Sequence, residues 1–429
     1  MKIAIAGYGA EGESNYRYYN TPEHQVVIID EHQPVRDVPV DASLIVGEDA
    51  FMRLEGYDLV VRTAGLAPRK IRTDGTVWSA TNEFFAKCPA PIIGVTGSKG
   101  KGTTVSLIAS ILRAGDRTVH VVGNIGVPAL DVLPAIAADD VVVYELSSFQ
   151  LWDAEASPHV AVVLMIEPDH LDVHHSFEEY VSAKGAIARH QGASDIVVYA
   201  KQNESSRAIA ELSAGHRIGV QSSHAAHVKE GFFYYNEQKL CSTNVLRLPG
   251  VHNQDNACAA IAAAWSYVQN PEAITAGLAA FDGLPHRLKF VRELAGISYY
   301  DDSIATTPGS AIAAMRAFAQ PKILILGGSS KGASFDDVAR VASESDVKSV
   351  IAIGTEARAI EAALSAWLVP VVNLGIDTDM VQIVTAATAQ AESGDVIILS
   401  PSCASFDMFK NYSDRGDQFI AAVSRLGER

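Results

Sequence analysis

The sequence predicts an α/β protein of doubly wound parallel sheets arranged in three successive segments, and three observations carry that reading. Short apolar runs rich in Val and Ile recur along all 429 residues. Most of them break at a Gly- or Ser-rich turn. Stretches of helical length then follow, which is the strand–turn–helix alternation of a parallel sheet. Composition and spacing divide the chain into residues 1–86, 87–284 and 285–429.

Composition narrows the class. With 48% hydrophobic and 20% charged residues the chain reads as globular, and no apolar run reaches the roughly 18 residues that a membrane span needs. The opening Met1-Lys2-Ile3-Ala4-Ile5 enters a strand directly instead of a leader. A cytoplasmic enzyme, monomeric and without a membrane partner, is expected. Cys88, Cys241, Cys258 and Cys403 form no C-x-x-C pair, which argues against a zinc site or a disulfide framework. A net charge of −16 disfavours nucleic acid as a partner, while small anions can still bind at helix ends and local lysines.

The first segment opens with a strand at Lys2 to Ala6, then Gly7-Tyr8-Gly9-Ala10-Glu11-Gly12, then a second strand at Gln25 to Ile29 ending at Asp30. A G-x-G-x-x-G turn after a strand, with an acid near twenty residues on, is the Rossmann-like fingerprint for a pyrophosphate-containing ligand. Runs at Ser43 to Val46 and Asp58 to Arg62 continue the sheet. The second stops at Thr63-Ala64-Gly65, a loop at a strand's C-terminal end, where ligands sit.

The second segment is organised around Ile92-Ile93-Gly94-Val95-Thr96-Gly97-Ser98-Lys99-Gly100-Lys101-Gly102-Thr103-Thr104. An apolar strand, a glycine loop and a helical stretch from Thr103 make a phosphate cradle. Backbone N–H groups close on phosphate oxygens, the helix N-terminus adds partial positive charge, and Lys101 reaches the outer phosphates. The spacing is irregular. Val95 stands where G-x-x-x-x-G-K-[ST] has its first glycine, and Gly102 stands where it has its hydroxyl, so Thr103 is the nearest hydroxyl for magnesium. Downstream, the buried-strand run Asp140 to Tyr144 ends in Glu145, where nucleotide hydrolases hold magnesium. The strand Val160 to Met165 leads to Glu167-Pro168-Asp169-His170-Leu171-Asp172-Val173-His174-His175, which suits magnesium or substrate better than zinc. An amphipathic helix over Ser176 to Gln191 carries Lys184. A hairpin over 232–240 precedes His252-Asn253 and Asn256 at the start of an Ala-rich helix.

In the third segment, strands Ile297 to Tyr300, Lys322 to Leu326, Val350 to Ile353 and Val396 to Leu399 each end in a polar or glycine turn. They predict a second doubly wound sheet whose strand ends form one rim.

Taken together, these stretches resemble the Mur ligases. The motifs are Thr96 to Lys101, Gly123-Asn124-Ile125-Gly126, Glu145 to Leu151, Asp169-His170-Leu171-Asp172, His252-Asn253 with Asn256, His286-Arg287, and Ser400 to Asn411 continuing to Asp414-Arg415-Gly416. The last block is similar to the glutamate-adding member in particular. The resemblance implies a Rossmann-like domain for a uridine nucleotide, a P-loop ATPase-like domain, and a Rossmann-like domain for the incoming amino acid, with a hinge between the last two. It implies that ATP phosphorylates the carboxylate of UDP-N-acetylmuramoyl-L-alanine and that glutamate's amine displaces the phosphate, in building peptidoglycan precursors.

By the same resemblance, Gly97, Ser98, Lys99, Gly100, Lys101, Gly102, Thr103, Asn256, Arg287 and Asp302 hold ATP. Two magnesium sites draw on Thr103, Glu145, His170 and Lys184, the last as a lysine carbamylated by carbon dioxide. Lys101, His170 and Lys184 form the catalytic set. Gly7, Gly9, Ala10, Glu11, Gly12, Asp30, Gly65, Asn124 and Ser147 take the uridine substrate, and Thr306, Lys331, Ser405, Phe406 and Tyr412 take glutamate. Departures from the family pattern are Gly102 for Ser or Thr, Ile304 for Lys, Met165 for Asn, Ser329 for Asp, and Thr63-Ala64-Gly65 for Ser-Pro-Gly; they leave D- and L-glutamate both open. The rival readings are a nicotinamide-dependent oxidoreductase using Gly7 to Gly12, and a homologue that binds ATP without turnover.

Overall fold

The computed structural model describes residues 1–34, 36–123, 127–171, 173–248, 250–330 and 334–427. Two compact units emerge, Met1–Phe281 and Asp282–Arg429. Among the described residues no helix is long and apolar enough to cross a membrane.

The first unit holds two parallel sheets. Strands β1 (Lys2–Ala6), β2 (Gln25–Asp30), β3 (Ser43–Val46), β4 (Leu59–Arg62) and β5 (Thr76–Ser79) lie in the order β3-β2-β1-β4-β5. The order reverses at β1, so the glycine loop after β1 opens at the crevice where doubly wound sheets bind ligands. Strands β6 (Ile92–Thr96), β7 (Val119–Gly123), β8 (Val141–Glu145), β9 (Val160–Val163), β10 (Ile196–Ala200) and β11 (His216–Val220) make the second sheet, ordered β11-β10-β9-β6-β8-β7. Strand β6 sits between β8 and β9 and every one of its residues is buried, as a central parallel strand covered on both faces requires. A small antiparallel sheet follows, of β12 (Ala226–Lys229), β13 (Phe232–Tyr235) and β14 (Gln238–Ser242).

The helix Lys101–Ala114 buries Val105, Leu107, Ile108, Ile111 and Leu112, and packs on the helices Val251–Ala264 and Pro271–Ala280. Small residues permit the close approach. A Cβ at Gly277 would meet the Ile111 backbone at 2.5 Å.

One buried charge ties the two parallel sheets of this unit together. Arg62, at the end of β4, is 0% exposed. Its guanidinium bonds Asp153 at 2.5 and 2.7 Å, the Leu66 carbonyl at 2.7 Å and the Phe149 carbonyl at 3.0 Å. The fork geometry of arginine satisfies carboxylate and carbonyls at once.

The second unit is a sheet in the order β15-β16-β20-β17-β18-β19, formed by β15 (Lys289–Leu294), β16 (Ile297–Asp301), β17 (Lys322–Gly327), β18 (Val347–Ile353), β19 (Val371–Gly375) and β20 (Val396–Leu399). Only β15 runs antiparallel. The sequence reading found four of these six strands. It passed over β15 and β19, and β5, β11 and β12 in the first unit, because each is part-polar and at a sheet edge, so no continuous apolar run marks it.

Removing Arg62 leaves two carbonyls without their donor and the part-exposed Asp153 without its partner. Arg62→Ala is expected to lower the unfolding free energy of the first unit by about 3–5 kcal/mol in urea titration. Arg62→Met with Asp153→Leu, which removes both charges, is expected to lie nearer the wild type.

Candidate active site

The phosphate loop grows directly from the buried strand β6. Gly97 has φ +155 and Gly100 has φ +83 as the N-cap of the helix Lys101–Ala114. A Cβ at Gly100 would meet the Asn256 side chain at 2.4 Å, so the helix Val251–Ala264 closes one side of the cradle. The glycine one position before Val95 has a packing cause. Gly94, inside β6, lies against Pro158 and Leu146, where a Cβ would come within 2.7 and 2.9 Å.

Two lysine amines converge on this loop. Lys101 Nζ donates to the carbonyls of Gly97 at 3.0 Å and Ser98 at 3.1 Å. Lys184 Nζ, 1% exposed on the helix Phe177–Arg189, donates to the same Gly97 carbonyl at 3.0 Å and to Thr96 Oγ1 at 3.3 Å. Burial, and then the charge of Lys101, push the Lys184 amine well below the usual lysine range. Glu145 and Asp169 act against that shift, which places both carboxylates in the electrostatic neighbourhood of the two amines. Glu145 ends β8 opposite Val95 of β6 and is 3% exposed.

A hydroxyl pair braces the loop. Ser98 Oγ meets Tyr180 OH at 2.9 Å, donates to the Glu167 carbonyl at 2.8 Å and accepts from the Glu167 N–H at 2.9 Å. Burial pushes the Tyr180 phenol up to about 12, so it stays protonated. Tyr180 lies one helical turn before Lys184, and the amine sits 4.6 Å from its ring centre. His170 has φ +53, and its ring packs edge-on to Phe149 at 5.0 Å. His174 stacks on Phe149 at 5.4 Å and bonds Ser148 Oγ at 3.0 Å, with burial pulling its imidazole down toward the neutral form.

The structure groups Gly97 to Thr103, Glu145, Lys184 and Asn256 about one loop. Lys99 is exposed and pairs with Glu167 at 3.5 Å. Thr103 is buried in the first turn of the helix. The Ser147 hydroxyl is committed to a capping box, accepting from the Gln150 N–H at 3.2 Å and donating to Gln150 Oε1 at 3.1 Å. In the first sheet Gly7 has φ +93, a Cβ at Gly12 would meet the Gly7 carbonyl at 2.1 Å, and Gly9, Ala10 and Gly65 are exposed. Asp30 accepts from the Tyr8 N–H at 2.8 Å and the His32 N–H at 3.2 Å, and Glu11 from the Ala64 N–H at 3.0 Å. Both acids therefore shape the loops beside them. Asn124 and Lys331 lie outside the described residues, as does Asp172 of the Asp-His-Leu-Asp run.

In the second unit the strand ends form the expected rim. Asp302 follows β16, is 4% exposed, and accepts from Ser400 Oγ at 2.8 Å and the Leu288 N–H at 3.1 Å. Burial pushes its carboxyl up to about 7. Arg287 is exposed and draws that value back down. Arg415, 0% exposed, donates to the carbonyls of Ser303, Cys403 and Ala404 and to Ser303 Oγ, so it staples the loop after β20 to the loop after β16. Ser405 is buried, whereas Phe406 and Tyr412 are 75% and 40% exposed. Thr306 lines a cavity of about 220 Å³ with Thr307, Ser330, Phe335, Glu356, Ser402 and Cys403.

The sequence reading assigned no role to Arg62, Tyr180, His286 or Arg415. A Tyr four residues before Lys184 was the available signal for Tyr180. The two arginines bond carbonyls distant in sequence, which spacing does not reveal. Among the described residues no three His, Cys, Asp or Glu side chains gather as a metal-holding cluster. A magnesium ion here would therefore take much of its coordination from phosphate and water, which suits its chemistry. The residues fit the group: a glycine cradle, a lysine across its mouth and a buried carboxylate at the adjoining strand end.

The Mur ligase middle domain matches residues 95–264, and the Mur ligase glutamate ligase domain matches residues 286–403. The UDP-N-acetylmuramoylalanine--D-glutamate ligase of Symbiobacterium thermophilum is 38% identical over 403 residues, covering 89% of this chain and 87% of the relative. The chain belongs to the Mur ligase family. The protein of the same name from Caldanaerobacter subterraneus subsp. tengcongensis is 33% identical over 446 residues, covering 99% and 98%. Among solved structures, MurC, the UDP-N-acetylmuramate-alanine ligase of Thermotoga maritima, aligns with a TM-score of 0.61 at 17% identity over 99% of both chains. FolC of E. coli in complex with DHPP and ADP gives 0.58 at 19% identity, over 81% of this chain and 92% of that one. These likenesses bear on the fold, and this Mur ligase shares it.

The Asp302 carboxyl gives a signed pH dependence. A carboxyl whose folded value is raised binds its proton more tightly in the folded state, so its stability contribution is full below the unfolded value and is lost as pH rises through about 7. Asp302→Asn is expected to flatten the fall in unfolding free energy between the usual carboxylate range and pH 7, a fall of at most about 1.4 kcal/mol per pH unit. Chemical denaturation at stepped pH measures it.

Proposed function

We propose that the protein joins D-glutamate to UDP-N-acetylmuramoyl-L-alanine, driven by ATP, with β6 to β11 forming the nucleotide-binding domain, β1 to β5 the uridine-substrate domain and the second unit the glutamate domain. The observation that carries the reading is the pair of amines on the Gly97 carbonyl, in a chain similar along nearly all its length to D-glutamate ligases.

The chemistry follows from charge. Transfer of the terminal phosphoryl group to the muramoyl-alanine carboxylate yields ADP and an acyl phosphate; glutamate's amine then attacks the acyl carbon, and phosphate leaves. Each stage concentrates negative charge at the loop. Lys101 is placed to neutralise it, together with the loop's N–H groups and the N-terminus of the helix Lys101–Ala114. Bound magnesium supplies further neutralisation, with Glu145 and Thr103 as the residues to hold it and His170 beside the acceptor.

Lys184 has a separate task. Burial, and then the charge of Lys101 on the same carbonyl, shift the Lys184 amine toward its neutral form. A neutral amine adds carbon dioxide: the N–C bond forms, a proton leaves, and an anionic carbamate stands where a cation was. That anion offsets Lys101 and suits a magnesium-rich site. Tyr180 holds the helix of Lys184 to the phosphate loop through Ser98.

The test is phosphate release from the full chain with ATP, magnesium and UDP-N-acetylmuramoyl-L-alanine, comparing D-glutamate, L-glutamate and meso-diaminopimelate. Turnover with D-glutamate and about a hundredfold less with the others is expected. Turnover with none of the three overturns the ligase reading, and preference for L-glutamate overturns the stereochemistry.

A further inference from the structure

The cavity of the second unit has two features that the reading above does not use. The first is its wall. Thr307, Phe335 and Glu356, which line it, are the N-cap residues of the helices Pro308–Arg316, Asp336–Glu344 and Ala357–Ser365. Three helix N-termini thus face one space of about 220 Å³, and each brings partial positive charge and N–H groups without an intrahelical partner. That is a setting for an anionic oxygen group.

The second feature is Ser402. It is 3% exposed and lines the cavity, and its hydroxyl has no hydrogen-bond partner among the described residues. Its backbone is held at φ +63, an unfavourable value for a residue other than glycine. The Ala305 carbonyl accepts from its N–H at 2.8 Å, and the next two carbonyls take Arg415, so the position is fixed from both sides. A buried hydroxyl without a partner is a cost to the folded protein, as is a serine at positive φ. Such costs concentrate where a ligand supplies the missing bond. The oxygen itself is buried beside the cavity, and a turn about χ1 toward a ligand atom there would break no hydrogen bond.

We propose that Ser402 is a specificity-determining residue for the incoming amino acid, donating its hydroxyl to a side-chain carboxylate oxygen of glutamate held in this cavity. Glu356 carries negative charge on its own stretch of wall, so the carboxylate is assigned to the side of Thr306 and Ser402. The inference rests on the ligase reading above and adds to it a residue whose loss changes selectivity without altering the reaction. An amino acid without a side-chain carboxylate has nothing to offer this hydroxyl and leaves it stranded.

The experiment is steady-state kinetics of Ser402→Ala and Ser402→Gly in the full chain. The glycine variant removes the hydroxyl while relieving the backbone, so that a folding defect in the alanine variant leaves a second route. KM for glutamate is expected to rise about tenfold in both, as loss of a hydrogen bond to a charged group predicts. The kcat value and the KM values for ATP and the uridine substrate should stay within about twofold. Melting temperatures should equal or exceed wild type, a shift opposite in sign to that of a merely structural residue. An unchanged KM for glutamate in both variants, with active wild type, overturns the role of Ser402 and leaves the ligase reading standing. Inactive wild type removes both.

Discussion

The charge balance at the Gly97 carbonyl governs how the first unit is built. Two lysine amines donate to one oxygen, and a protein interior does not accommodate two such cations unless something separates or discharges them. The structure answers by position. Lys101 sits in the first turn after the glycine loop, part-buried. Lys184 is carried on a different helix with its amine sealed from water, where the neutral form is favoured. Everything around the loop keeps the two in register: the buried strand β6, the Asn256 side chain against Gly100, and the Ser98–Tyr180 hydroxyl pair. Of these, the Ser98–Tyr180 pair joins the phosphate loop directly to the helix that carries the second amine.

The second unit solves a different problem by the same means. Its strands β16, β17, β18 and β20 end level with one another at a polar rim, and the loops there would repel or fray if left to themselves. Arg415 prevents that by filling four acceptors from two loops, while Asp302 holds Ser400 and the Leu288 N–H. Rigidity here is a condition for selecting an amino acid, since a carboxylate can be recognised only by donors that hold their places.

Legibility from sequence followed burial and locality. Central strands such as Lys2–Ala6 and Val396–Leu399 came out with the bounds their apolar runs suggested. Edge strands such as Lys289–Leu294 and Val371–Gly375 did not, because half of each faces water. Lys101 was legible because its role depends on glycines a few residues away. Lys184 drew its role only from the family resemblance, since Lys101 and the Gly97 carbonyl reach it only through the fold. Asp30 and Ser147 fitted a substrate pattern in the sequence, yet in the structure their side chains are occupied by local N–H groups and a capping box. Ser402 matched a motif as a letter; its distinguishing property, an unbonded hydroxyl at positive φ, exists only in three dimensions. The roles of Arg62 and Arg415 were hidden for the same reason.

The central claim is that burial and the charge of Lys101 shift Lys184 toward its neutral amine and so open it to carbon dioxide. Carbon-13 NMR of the protein under labelled bicarbonate measures this directly. The account predicts a carbamate resonance in the wild type that is absent from Lys184→Ala and weakened in Lys101→Ala, where the repelling charge is gone. A wild type without that resonance, or one whose resonance survives Lys184→Ala, would contradict it.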